Sequence, residues 1–133
     1  MKKLSVVLAT RNEEENIARC INSVKNIADE IIIVDENSTD NTRKIASDLG
    51  AKVYTEPHHD IFHITKQKAL DLADGTWILQ LDADEVVTPG LAKQIIEVVD
   101  NKYTYKENKL FLRHQKLLEE RDGQIGTKNG EIV

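Results

Sequence analysis

The sequence predicts an α/β fold, an open and mostly parallel sheet with helices on both faces. Short apolar runs of strand length alternate with segments of helical periodicity, four times in succession. The runs are continuously apolar, as expected of strands covered on both sides. Polar clusters follow three of the four runs, which places them at one common sheet edge. Parallel neighbours need right-handed crossovers, and the helical segments supply them.

Leu4 to Ala9 is the first strand. Asn12 with Glu15 three residues later resembles a capping box, with Asn in place of Ser or Thr. Ile17, Cys20, Ile21 and Val24 then share one face of the first helix. Cys20 on that face reads as a small core residue. Ile31 to Val34 is the second strand. Ser38 to Thr42 is rich in N-cap residues, Ile45, Ala46 and Leu49 follow, and Gly50 sits where a helix ends. Lys52 to Tyr54 is a weaker third strand. Phe62, Ala69, Leu72 and Ala73 share a face of a third helix ending near Asp74-Gly75. Trp77 to Leu81 is the fourth strand, with Trp77 read as packing. Thr88-Pro89 reads as N-cap and first residue of a fourth helix carrying Leu91, Ile95, Val98 and Val99.

After Asp100 the pattern changes. Leu110, His114, Leu117 and Leu118 predict an amphipathic helix, and Asp122 to Gly130 predicts a loop. Glu131-Ile132-Val133 resembles the start of a strand. The organisation expected is an α/β unit over residues 1–100 and a helical and loop extension over 101–133.

The chain has 133 residues, enough for one domain that buries roughly two thirds of its unfolded surface without a metal or disulfide. A net charge of −5 argues against a nucleic-acid partner, which needs a positive field. A single cysteine excludes an internal disulfide. No apolar run approaches the ~20 residues of a membrane span, and Leu4 to Ala9 is too short for a signal peptide. A cytoplasmic location is the expectation, with the inner membrane face as a place of peripheral attachment.

The polar clusters carry the chemistry. Thr10, Arg11, Asn12 and Glu13 follow the first strand, Asp35, Glu36 and Asn37 the second, and Asp82-Ala83-Asp84-Glu85 the fourth. Two carboxylates one residue apart on a turn can face one hard cation, and Mg²⁺ or Mn²⁺ takes such oxygen ligands together with water and phosphate. A cation held this way stabilises a departing diphosphate. Alone, an Asp-x-Asp triplet is a weak signal and reads first as a solvated acidic turn capping a helix; its company at the ligand-binding edge favours a site. Asp35 is either a strand-ending turn residue or an acceptor for a nucleobase N–H. His58, His59 and His63 lack the further ligands of a tetrahedral zinc site. They read as a polar loop beside the edge, near enough for one of them to meet donor phosphates.

Three segments, SVVLATRNEEENI, VDENSTDNT and TKQKALDLADGTWILQLDADE, resemble family 2 glycosyltransferases of the GT-A fold, a Rossmann-like architecture. The resemblance runs from about Leu4 to Leu91 in consistent order and spacing, and within the family it looks nearest to lipopolysaccharide-core, β-glucosyl-type enzymes of envelope polysaccharide synthesis. It implies transfer of a sugar from a nucleoside diphosphate sugar, UDP-linked, to the hydroxyl of a saccharide or lipid-linked acceptor, with inversion and a divalent cation. It assigns Thr10, Asn12, Glu13 and Asp35 to the nucleotide and Lys66 to the base or phosphates. Asp82 falls toward ribose and metal, and Asp84 toward metal and diphosphate. The family often has Asp-Asp-Gly-Ser where this chain has Asp35-Glu36-Asn37-Ser38, and Gln67 stands where Asn is common. Nothing after Glu85 matches the family's acceptor-side motifs, so no catalytic base is assigned and the chain reads as the donor-binding part of a longer enzyme. The alternative is a module that binds nucleotide sugar without turnover. A nucleotidyltransferase would show a glycine-rich, lysine-containing loop after the first strand. A receiver domain would carry its acidic pair there, where Thr10-Arg11-Asn12 stands.

Overall fold

The computed structural model describes residues 3–100, 110–112 and 125–127. Its elements are β1 (Leu4–Thr10), α1 (Ile17–Val24), β2 (Glu30–Asp35), α2 (Thr42–Asp48), β3 (Lys52–Thr55), α3 (His63–Leu72), β4 (Trp77–Gln80), α4 (Pro89–Asp100), β5 (Leu110–Leu112) and β6 (Ile125–Thr127). They build one sheet in the order β3-β2-β1-β4-β5-β6. The first five strands are parallel, and β6 pairs antiparallel with β5. β1 is central, in register with β2 from Ser5↔Glu30 to Thr10↔Asp35 and with β4 from Leu4↔Trp77 to Val7↔Gln80. The chain grows outward from β1 to β3 on one side, then crosses to β4 on the other. That reversal leaves a crevice beyond the carboxyl ends of β1 and β4.

The period-2 alternation of strand side chains divides the core into two layers. Leu4, Val6, Leu8, Ile31, Ile33 and Leu79 point to one face and meet Ile17, Cys20, Ile21, Ala46, Leu91 and Ile95 of α1, α2 and α4. Val7, Ile32, Val34 and Ile78 point to the other and meet Ala69 of α3 and Ala73 just beyond it. Every residue of β1 and β2 is buried, which is why their runs lack polar alternation.

Four sequence expectations are corrected. The Asn12–Glu15 capping box does not form: α1 begins at Ile17, its N-cap is Asn16 without a side-chain cap bond, and Asn12 has a left-handed backbone at φ 52°. Its side chain bonds another loop instead. The buried face of α3 carries Thr65 and Ala69, while Phe62 and Leu72 are exposed at 36% and 39%. Small residues at those two positions let the helix lie close on the sheet, which leaves no room under it for Phe62 or Leu72. Leu110 belongs to a strand, because Leu110, Phe111 and Leu112 pair with Trp77, Ile78 and Leu79. Within the expected loop, Ile125–Thr127 is the strand pairing with it. An unpaired edge on β4 is a template for another strand, and pairing there outweighs local helical spacing. His114, Leu117, Leu118 and residues 131–133 lie outside the described residues.

The punctuation residues behave as read. Gly50 has φ 96° and ends α2. Thr88 Oγ1 accepts from Leu91 N at 3.2 Å at the start of α4. No helix among the described residues is long and apolar enough to cross a membrane.

A buried polar network closes the amino-terminal edge. Glu30 is 6% exposed and its carboxylate accepts from Ser5 Oγ and Asp74 N, with Lys52 Nζ at 3.3 Å. Gly75 N donates to Ser5 Oγ at 2.7 Å. A Cβ on Gly75 would stand 2.6 Å from Ser5 Oγ, 2.7 Å from Ser5 N and 2.9 Å from Trp77 O. Two of these are backbone atoms of paired strands and cannot give way. Gly75→Ala should therefore destabilise the protein by about 2 kcal/mol, read as a lowered Tm in thermal melts.

Candidate active site

The carboxyl ends of β1, β2 and β4 bring three loops together. At the junction of the first two, Asp35 is fully buried and Thr10 is 1% exposed. Thr10 Oγ1 donates to Asp35 Oδ1 at 2.7 Å, Ser38 Oγ to the same oxygen at 2.6 Å, and Ser38 N to Oδ2 at 2.7 Å. Arg43 Nε lies 3.5 Å from Oδ2, balancing the charge. Ser38 Oγ also accepts from Asn12 N at 2.8 Å. Asn12 Oδ1 accepts from Thr39 N at 2.8 Å, and Thr42 Oγ1 accepts from Glu13 N at 2.8 Å. The loop after β1 is thus stitched to the loop after β2. Asn37, where the family often has Gly, takes φ 50°, a conformation Asn tolerates better than most residues.

This arrangement sorts the residues expected to touch nucleotide. Thr10 and Asp35 face each other inside the protein, and both Asp35 oxygens are occupied. Asn12 is exposed, but its carbonyl holds the neighbouring loop. Glu13, Lys66, Asp82 and Asp84 line one open cleft of about 280 Å³ with Ala9, Arg11, Phe62 and Ala83. Arg11 and Phe62 were missed as site residues. Arg11 directly follows Thr10 at the ligand edge, which was the available signal. Phe62 was assigned to the core by its helical spacing.

Glu36, from the polar cluster after β2, does not line the cleft. It is fully buried, and its Oε1 accepts from His59 N at 3.2 Å and lies 2.7 Å from His58 Nδ1. Burial pushes its carboxyl up, but the Thr65 hydroxyl, the His58 ring and the His59 N–H beside it outweigh that and hold it below its ordinary value. Its Oε2 and Thr65 Oγ1 have no partner of hydrogen-bond geometry among the described residues. His58 is therefore engaged with Glu36, and His59 Nε2 lies 3.8 Å from Glu56. His58 and His59 are thus tied to Glu36 and Glu56, while His63 is exposed at the start of α3.

At the turn after β4, Asp82 N donates to Glu85 Oε1 at 2.8 Å and Glu85 N to Asp82 O at 2.9 Å. The thiol of Cys20 lies 3.7 Å from Asp82 O. Burial, reinforced by the carboxylates of Glu85, Asp84, Asp82 and Glu13, pushes that thiol up to about 12, so it stays protonated. The same field reports how acidic the cleft floor is. Lys66 Nζ lies 3.2 Å from Asp82 Oδ1.

The donor set fits a hard divalent cation. Asp82 and Asp84 both line the same open cleft. Among the described residues no group of three or more His, Cys, Asp or Glu is arranged to hold a metal. The remaining shell would fall to water and phosphate oxygens, as Mg²⁺ prefers.

Asp35→Ala would leave the buried Thr10 and Ser38 donors unpaired and should cost about 3 kcal/mol in denaturant unfolding. Glu36 supplies a pH test. Held below its ordinary 4.5, it stabilises the fold above that pH, and the contribution is lost as pH falls through the lower folded value. Thermal melts should show Glu36→Gln losing less Tm than wild type between about pH 5 and about pH 3.

Comparison with known proteins accords with this geometry. The model of Glycosyl transferase family 2 matches residues 5–106. An uncharacterized glycosyltransferase of Rickettsia typhi is 47% identical over 95 residues, 71% of this chain and 32% of that protein. The dolichol-phosphate mannosyltransferase of Pyrococcus furiosus is 30% identical over 111 residues, 74% of this chain and 30% of its own. Glucosyl-3-phosphoglycerate synthase from Mycobacterium tuberculosis, solved with Mn²⁺ and UDP-glucose, matches with TM-score 0.62 and 25% identity over 82% of this chain and 42% of that one. Mannosyl-3-phosphoglycerate synthase from Rubrobacter xylanophilus matches with TM-score 0.62 and 26% identity over 76% and 37%. The chain spans about a third of the length of the curated relatives it matches. The sheet is that of a GT-A fold, and with the family model covering most of its length this chain belongs to the family 2 glycosyltransferases.

Proposed function

We propose that this chain is the donor-binding part of an enzyme that moves a sugar from a nucleoside diphosphate sugar to an acceptor hydroxyl. The observation that carries this is the cleft at the sheet reversal, where Asp82 and Asp84 meet Arg11 and Lys66. Carboxylates for a cation beside cations for phosphates are what a metal-bound diphosphate requires. Mg²⁺ or Mn²⁺ on Asp82 and Asp84 would supply neutralisation of the leaving diphosphate. Lys66 and Arg11 orient the phosphates, and Glu13 lines the same wall. Thr10, Asn12 and Asp35 act through the loops they hold together. The deprotonating base lies outside the residues assigned.

A UDP-linked donor is favoured by the Mycobacterium tuberculosis synthase, whose structure holds UDP-glucose with Mn²⁺. Inversion, and an acceptor of the lipopolysaccharide-core or other envelope type, saccharide or lipid-linked, rest on the sequence resemblance alone. A cytoplasmic site of action belongs to the same reading.

Calorimetry of the full chain with UDP-glucose tests it. Binding should require Mg²⁺ or Mn²⁺ and weaken by about tenfold or more in Asp84→Ala. Heat that is indifferent to metal, or unchanged in the variant, would sink the assignment.

A further inference from the structure

Lys66 stands out in the cleft because its partner is a carboxylate assigned to the metal. Its ammonium lies 3.2 Å from Asp82 Oδ1 and 5.8 Å from the centre of the Phe62 ring. Phe62 is one helical turn earlier, and Phe62 O accepts from Lys66 N at 3.1 Å. The ammonium thus meets a carboxylate and lies over an aromatic ring. The two partners differ in freedom. Asp82 is fixed through its backbone, N to Glu85 and O to Glu85 N. Lys66 carries its charge on a four-carbon stem and is 30% exposed.

From this geometry we infer that Lys66 is a built-in competitor of the divalent cation, closing Asp82 until a phosphate draws the ammonium away. The inference rests on the metal role of Asp82 and Asp84 proposed above. A cation on Asp82 Oδ1 and an ammonium at hydrogen-bond distance from the same oxygen repel each other strongly. With no anion in the cleft, leaving Asp82 deprives Lys66 of its carboxylate partner. With a diphosphate present, the ammonium exchanges one anion for another, and the carboxylate becomes available. Nucleotide and metal then favour each other's binding, by the same factor in both directions. The device keeps metal from occupying the site without donor.

Direct metal–diphosphate contact would also couple the two ligands, so the diagnostic measurement is metal alone. Mn²⁺ is titrated into wild type, Lys66→Gln and Lys66→Arg, without nucleotide and then with UDP, by calorimetry or by the loss of free Mn²⁺ electron-resonance signal. Lys66→Gln should bind Mn²⁺ alone about fivefold or more tighter than wild type, and its gain from added UDP should be smaller. Lys66→Arg, which keeps the charge, should stay near wild type in metal alone. Lys66→Gln binding Mn²⁺ alone no tighter than wild type, including no binding by either, overturns the inference. Failure of the function itself would look different: wild type would not bind UDP-glucose even with metal. Lys66 is on the surface side of α3, and an unchanged Tm in Lys66→Gln shows that the comparison is between folded proteins.

Discussion

The site depends on one buried carboxylate. Asp35 ends β2 with no exposure and gathers Thr10 from β1, Ser38 from its own loop and Arg43 from α2. A buried charge is tolerable only when its oxygens are fully hydrogen-bonded, and this one is. Its partners are the residues at which two loops leave the sheet. The distance between those loops, and hence the wall carrying Arg11 and Glu13, is set by this cluster. Ser38 extends it to Asn12, and Asn12 extends it to Thr39. Side chains bonded to one another therefore decide where the lining side chains stand.

Packing fixes the other wall. Because β1 and β4 are neighbours while the chain goes on from β1 to β2 on one side and from β4 to β5 on the other, the loops after them diverge and leave space. The β4 turn must rise from a fully packed strand, since Ile78 and Leu79 are each buried against a different layer. It is then closed by the reciprocal bonds of Asp82 and Glu85. Across from it, α3 lies close to the sheet because Thr65 and Ala69 are small. That closeness brings Phe62 and Lys66 to the cleft rather than into the core.

Much of this was legible in the sequence, for physical reasons that also mark where legibility stopped. Continuous apolar runs with polar endings gave the parallel strands, the order of elements and the shared edge. Gly50 and Thr88 gave helix ends because their requirements are local. Asn12 misled because its cap-like spacing is local evidence, whereas its actual partner, Thr39, lies 27 residues away. Phe62 and Leu72 misled because large apolar residues dominate a periodicity, while helix-to-sheet distance is governed by small ones. Leu110 misled because a three-residue strand is fixed by the open edge of β4 and carries no period of its own. At the site, residue type identified an acid rim but could not tell a lining acid from a buried one.

That distinction changes the meaning of the acidic balance. The chain carries 23 acidic against 18 basic residues. Glu30, Asp35 and Glu36 are buried, and each has hydrogen-bond donors from neighbouring strands or loops. These carboxylates face the protein interior rather than the cleft. Glu13, Asp82 and Asp84 line the open cleft, where water screens them and the protein supplies chiefly Arg11 and Lys66 as counter-charge. Bringing a diphosphate there would add negative charge to a floor that already holds Glu13, Asp82 and Asp84. Two side-chain cations cannot neutralise both the carboxylates and the phosphates. A divalent cation would resolve that excess, taking carboxylate and phosphate oxygens together.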